Sequence, residues 1–180
     1  GSGHRRMKTF LKGFCIGLLS LSLLGLLWFL VLQPGLTNRE AQALKEEYAQ
    51  PLPGEPSGEL PAGKEQAASL VNLSALQAEY PDIKGWISIP GTCVDYPVLQ
   101  SSADEPEYYL RRTYKGEHRT AGSIFFQWDC SPESRNLVVY GHNMSDGTMF
   151  AVLQKMADET FRKEHSQILL QTSDGLRKYQ

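Results

Sequence analysis

The chain has 180 residues, with 18 basic and 20 acidic side chains and a formal net charge of -2, room for one domain plus an anchor but not for two full domains. Arg5, Arg6, Lys8 and Lys12 are, with Arg39, the only charged residues before Glu40; without those four, 14 basic residues face 20 acidic ones, a net of about -6. That sign, with no basic stripe interleaved with aromatics, sets nucleic-acid binding aside.

Residues 1–13 read as a basic cytoplasmic leader whose first residues, Gly1-Ser2-Gly3-His4 ahead of Met7, resemble an added tag. Phe14 to Leu32 carries no charge and is dominated by Leu, Phe, Trp, Val and Ile. As a helix it covers roughly 28 Å, the thickness of a bilayer's hydrocarbon core. The run ends Val31-Leu32-Gln33-Pro34-Gly35 without a small-x-small site, so an uncleaved transmembrane helix over 14–32 is expected rather than a signal peptide. The basic cluster before it predicts a cytoplasmic N-terminus and an exported remainder.

Residues 33–66 read as a stalk, in which Pro34, Pro51, Pro53, Pro56 and Pro61 alternate with Gly35, Gly54, Gly58 and Gly63. Within it Thr37 and Glu40 fit a capping box, which predicts a helix from Thr37 to about Ala49, closed by Pro51. A second amphipathic helix is expected from about Lys64 to Glu79, with Leu70, Leu73, Leu76 and Tyr80 on one stripe. Short strands bounded by turns follow: Trp86–Ile89, Val94–Leu99, Gly122–Gln127 and Asn136–Tyr140. Helical stretches over Thr148–Met156 and Asp158–His165 come next, then strands Gln167–Thr172 and Leu176 onward about a Ser173-Asp174-Gly175 turn. The pattern predicts a mainly β fold, a barrel or sandwich with peripheral helices. The last strand stops in mid-pattern at Gln180, which leads us to expect part of a longer protein.

Cys15 lies in the apolar run, and Cys93 and Cys130 in the exported part. Their spacing fits no zinc pattern, and two unpaired thiols in or near the core are expected. The segment with chemistry in it is Tyr140-Gly141-His142-Asn143-Met144, a histidine directly after an apolar strand, where its side chain can face a cleft. Histidine titrates near neutral pH and suits proton transfer to and from a leaving group. His118 and His165 fall in polar surroundings and are expected to be solvated. A metal site using His142, His118 and a carboxylate has no supporting ligand spacing.

The order of motifs carries a resemblance. From Pro81 the chain runs Asp82-Ile83-Lys84-Gly85-Trp86-Ile87, Ile89-Pro90-Gly91-Thr92 and Asp95-Tyr96-Pro97-Val98-Leu99-Gln100. It continues with Tyr108-Tyr109-Leu110, Gly122-Ser123-Ile124-Phe125-Phe126, Asn136-Leu137-Val138-Val139-Tyr140-Gly141-His142-Asn143-Met144 and Gly147-Thr148-Met149-Phe150. In order and spacing, residues 67–180 resemble the N-terminal part of the class B sortase domain. The resemblance implies a sortase-type β-barrel, incomplete in this chain, and a membrane-anchored cysteine transpeptidase of a Gram-positive cell surface. In that family a cysteine thiolate attacks a Thr-containing bond in the C-terminal sorting signal of a secreted protein. An amine of a cell-wall precursor or a pilin then resolves the thioester.

The resemblance makes His142 the general acid and base and implies no metal or organic cofactor. Tyr108 and Asn143 are taken as substrate contacts. The family's Thr-Leu-x-Thr-Cys segment and its arginine do not occur in this sequence, so this chain alone is expected to be inactive. A catalytically inactive, membrane-tethered binding module is the alternative. Cys130, about a dozen residues before His142, and Cys93 are poor substitutes for the nucleophile, because nothing near them supplies an oxyanion donor.

Overall fold

The structure, a computed structural model, describes residues 2–28, 33–50 and 70–180. The chain divides into two compact units, Gly1–Leu36 and Thr37–Gln180. The first holds α1 (Ser2–Leu27), an uninterrupted helix in which Ile16, Leu19, Leu21 and Leu24 are each more than half exposed. Among the described residues no helix is long and apolar enough to cross a membrane. The expected span over 14–32 runs out of α1 into residues 29–32, which lie outside the described residues.

The second unit opens with the part of α2 (Gln33–Glu47) that follows Leu36. This helix starts four residues before the expected cap at Thr37, since Pro34 falls in the first turn, where its missing N–H costs nothing. Glu40 closes no capping box. Its carboxylate instead meets the Arg119 guanidinium, with Nη2 donating at 2.9 Å. Ala41 and Leu44 are buried on the sheet, so residues 37–50 of the expected stalk are built into the domain; 51–69 lie outside the described residues.

Leu70, expected on a helical stripe, instead belongs to β2 (Leu70–Val71), paired with β1 (Ala49–Gln50). Only Leu73–Glu79 forms α3, because the Asn72 side chain accepts the Ala75 N–H at 3.1 Å and starts the helix there.

Six strands make one sheet: β3 (Ile83–Ser88), β4 (Asp95–Gln100), β5 (Ile124–Phe126), β6 (Val139–Tyr140), β7 (Ile168–Thr172) and β8 (Gly175–Tyr179). Their order is β6-β5-β4-β3-β7-β8, antiparallel throughout except for the parallel pair β4 and β5. The parallel pair requires a long crossover, residues 101–123, which carries a 3-10 helix at Tyr108–Arg111. A second 3-10 helix, Ala151–Ala157, and α4 (Glu159–Glu164) stand where the helical interlude was expected.

Neighbouring strand residues point to opposite faces, and here both faces are covered. Ile87, Tyr96, Val98, Ile124, Phe126 and Leu170 pack on one side, joined by Met149 and Val152. Trp86, Leu99 and Phe125 pack on the other, against Leu44, Leu73, Leu76 and Tyr109. This two-sided burial explains why β5 reads as a continuous apolar run rather than an alternation. Fully buried side chains such as Phe126 each stabilise the fold by about 1.5–3 kcal/mol.

Candidate functional site

His142 sits just past β6, an edge strand of the sheet. Its backbone is held in two ways. The His142 carbonyl accepts the Phe150 N–H at 2.9 Å, and Asn143 forms an antiparallel bridge with Met149. Gly141 lets this hairpin-like loop close, since a Cβ there would lie 2.4 Å from Ile124 Cδ1 and 2.6 Å from Phe150 Cδ2.

The imidazole is half-buried, with Nε2 2.7 Å from the Leu110 carbonyl oxygen. A carbonyl only accepts, so this contact places the proton on Nε2 and leaves the Nδ1 lone pair to take a proton. The Leu110 carbonyl belongs to the 3-10 helix of the crossover, which is strapped to the sheet where Ser123 N donates to Tyr109 O at 3.0 Å and Ser123 Oγ to Arg112 O at 2.8 Å.

Beside this contact lies an open groove of about 750 Å³ lined by Tyr108, Leu110, Arg112, Phe125, Trp128 and Tyr140, among others. Four of its lining residues are aromatic, and Glu105, Glu107, Arg112 and Gln127 stand among them. Trp128 and Tyr140 remain 47% and 45% exposed, so the groove offers both apolar surface and polar groups to an extended ligand. The Arg112 guanidinium lies 4.7 Å over the Tyr108 ring, which also meets Tyr109 edge-on at 4.9 Å. Tyr108 therefore presents a fixed face.

Asn143 is exposed and lines a different cavity of about 720 Å³, with Cys93, Met144, Lys155 and Phe161. The two expected substrate contacts are thus placed in separate cavities, and only Tyr108 shares the groove with Leu110. Arg112, Trp128 and the Leu110 carbonyl were not singled out from the sequence. Leu110 stands in a motif already noted there, but a backbone acceptor has no signature of its own.

The remaining candidates stand apart. Cys93 and Cys130 are unpaired. Cys93 Sγ contacts the Gly147 carbonyl at 3.1 Å, and burial pushes its thiol up, away from the reactive thiolate. Cys130 Sγ has only acceptors beside it, Asn136 O at 3.6 Å and Asp129 Oδ1 at 3.9 Å. His118 is exposed and bridges to Arg112. His165 is only partly solvated, because its ring packs tilted against Phe161 with centroids 4.3 Å apart and its Nδ1 reaches the Pro90 carbonyl at 3.0 Å. Among the described residues no cluster of three His, Cys, Asp or Glu side chains is arranged to hold a metal ion.

No family model matches the chain. Sortase B of Listeria monocytogenes is 44% identical over 95 residues, 52% of this chain and 38% of that protein. Sortase B of Staphylococcus aureus is 29% identical over 177 residues, 97% of this chain and 68% of that protein. The solved structure of sortase B from Bacillus anthracis in complex with AAEK1 superposes with a TM-score of 0.59 at 34% identity, covering 78% of this chain and 61% of that one. The chain therefore spans well under the full length of these proteins, which it resembles in both sequence and fold.

Proposed function

We infer, from the premise that this chain belongs to the class B sortase family and spans its N-terminal portion, that the complete protein is a cysteine transpeptidase with His142 as its acid–base residue. The observation that carries this reading is the placement of His142 at the end of an edge strand, ring fixed by Leu110, beside an aromatic groove. In the proposed reaction a cysteine thiolate attacks the carbonyl of a Thr-containing bond in a sorting signal. The C–N bond breaks as imidazolium gives its proton to the departing amine, leaving a thioester. The neutral imidazole then takes a proton from the incoming amine as that amine displaces the thiolate.

The family's cysteine and arginine have no counterpart among these 180 residues. We assign them to a part of the complete protein outside these residues, folded so as to set a thiol beside His142. The groove between Tyr108 and Tyr140 is the proposed seat of the sorting-signal peptide, with Tyr108 as a contact. Asn143, on the other side of the loop, is proposed to face the incoming amine of a cell-wall precursor or pilin.

We also propose that the apolar run over 14–32 anchors the protein in the membrane of a Gram-positive cell, N-terminus inside and domain outside. The charge-free stretch and the exposed leucines of α1 support this.

The test is to incubate the complete protein with a pool of C-terminal sorting-signal peptides and hydroxylamine. Cleavage with formation of a peptide hydroxamate is expected, since hydroxylamine intercepts the thioester. Peptide binding without hydroxamate would replace this reading with that of a membrane-tethered binding module.

A further inference from the structure

Residue Tyr96 of β4 is 3% exposed, and its hydroxyl joins two parts of the domain that are far apart in sequence. It donates to Asn38 Oδ1 on α2 and accepts the Met149 N–H at 3.1 Å. Burial pushes the phenol far up from its ordinary value, so the hydroxyl keeps its proton for Asn38.

Met149 is the one described non-glycine residue with positive φ, at 56°, and it is fully buried. A left-handed backbone at such a residue persists only where its surroundings hold it there. Three contacts meet at this point: the Tyr96 hydroxyl on the Met149 N–H, the bridge from Met149 to Asn143, and the Phe150 N–H on the His142 carbonyl. The conformation of Met149 thus sets the strand-like pairing of the backbone that carries His142.

The other end of the link is anchored as firmly. Asn38, Gln42 and Lys45 recur at i, i+4 and i+7 and so share one face of α2. Lys45 Nζ lies 2.7 Å from Asp95, the residue before Tyr96, and Gln42 Nε2 lies 3.2 Å from the same carboxylate. The Arg119 guanidinium holds Glu40, two residues past Asn38 along the same helix. Asn38 is therefore presented to Tyr96 by a helix that ion pairs hold in register.

We propose that α2 positions the acid–base residue: Asn38 holds the Tyr96 hydroxyl, which holds Met149 in the conformation that shapes the His142 loop. Asn38 and Tyr96 are positioning residues, distant from the reacting atoms, and the inference rests on the functional reading above for the role of His142. The segment between the apolar run and the sheet is then a working part of the site.

The experiment uses the complete protein with Tyr96→Phe, Asn38→Ala and Asn38→Asp. Loss of one hydrogen bond predicts roughly tenfold faster amide exchange at Met149 in Tyr96→Phe and Asn38→Ala. It also predicts a kcat about five- to tenfold lower with KM within about twofold. Asn38→Asp, which keeps an acceptor, returns both to within about twofold of the parent. Unchanged Met149 exchange overturns the proposal, and so does faster exchange with unaltered kcat. If the parent shows no turnover, the functional reading fails on its own. The ring N–H resonance of His142 then decides, with a shift in Tyr96→Phe supporting the link and an unmoved signal refuting it.

Discussion

A Cβ placed on Gly122 would lie 2.2 Å from the Leu110 carbonyl oxygen. That same oxygen meets His142 Nε2. Gly122 also has φ +57, so the residue serves both a left-handed turn and a close approach. The acceptor that fixes the imidazole tautomer depends on the absence of one methyl group.

Gly122→Ala is therefore expected to destabilise the domain by at least about 2 kcal/mol, since strain and a backbone clash act together. The urea midpoint measures this directly. A midpoint within error of the parent would mean that the crossover moves freely and does not template His142.

Asp95 gathers three donors, Lys45, Gln42 and Trp86. Lys45 Nζ lies 2.7 Å from Oδ2, and Trp86 Nε1 donates to Oδ1 at 2.7 Å. The side chains of Lys45 and Asp95 are only 14% and 20% exposed. Asp95→Ala strands an ammonium and an indole N–H together, with an expected cost of about 2–4 kcal/mol. Asp95→Asn, which retains one acceptor for Trp86, should lose less in the same thermal or chemical melt.

Tyr48 closes α2 against α3 by donating to Glu79 Oε2 at 2.6 Å. This bond holds the Glu79 carboxyl below its usual range and pushes the Tyr48 phenol up to about 12. A depressed carboxylate stabilises the fold above its unfolded value of about 4.3 and loses that effect as pH falls through the folded value. A raised phenol stabilises below about 10 and loses its effect as pH rises through the folded value. The contact should accordingly hold from about pH 5 to pH 10 and weaken on both sides. A carboxyl-carbon titration of Glu79 checks it. In Tyr48→Phe the midpoint should rise toward the ordinary value, and an unmoved midpoint would show that the bond is absent in solution.

Strands β3 to β8 were legible within two or three residues because apolar runs and turn residues are local signals. Ile124-Phe125-Phe126 and Ser173-Asp174-Gly175 declare themselves in a window of a few positions. What escaped is non-local. Glu40 finds Arg119 across 79 residues and Asp95 finds Lys45 across 50, so a helix read as part of a stalk is in fact docked on the sheet. Leu70 was counted on a helical stripe although its partner, Gln50, lies on the far side of a proline-rich stretch. The same holds at the site. His142 was found from its strand-end motif, but its acceptor is a carbonyl 32 residues away, and no side-chain pattern encodes a carbonyl. Tyr108 and Asn143 line different cavities, which spacing along the chain does not resolve.

The most direct test of the central claim is intact-mass analysis of the complete protein mixed with a sorting-signal peptide, comparing the parent with His142→Ala. The account predicts that the parent acquires the mass of the acyl fragment and passes it to an added amine. The variant, equally well folded by its melting curve, should lose this transfer by at least about a hundredfold. A His142→Ala protein that turns over near the parental rate would remove His142 from the mechanism and contradict the account.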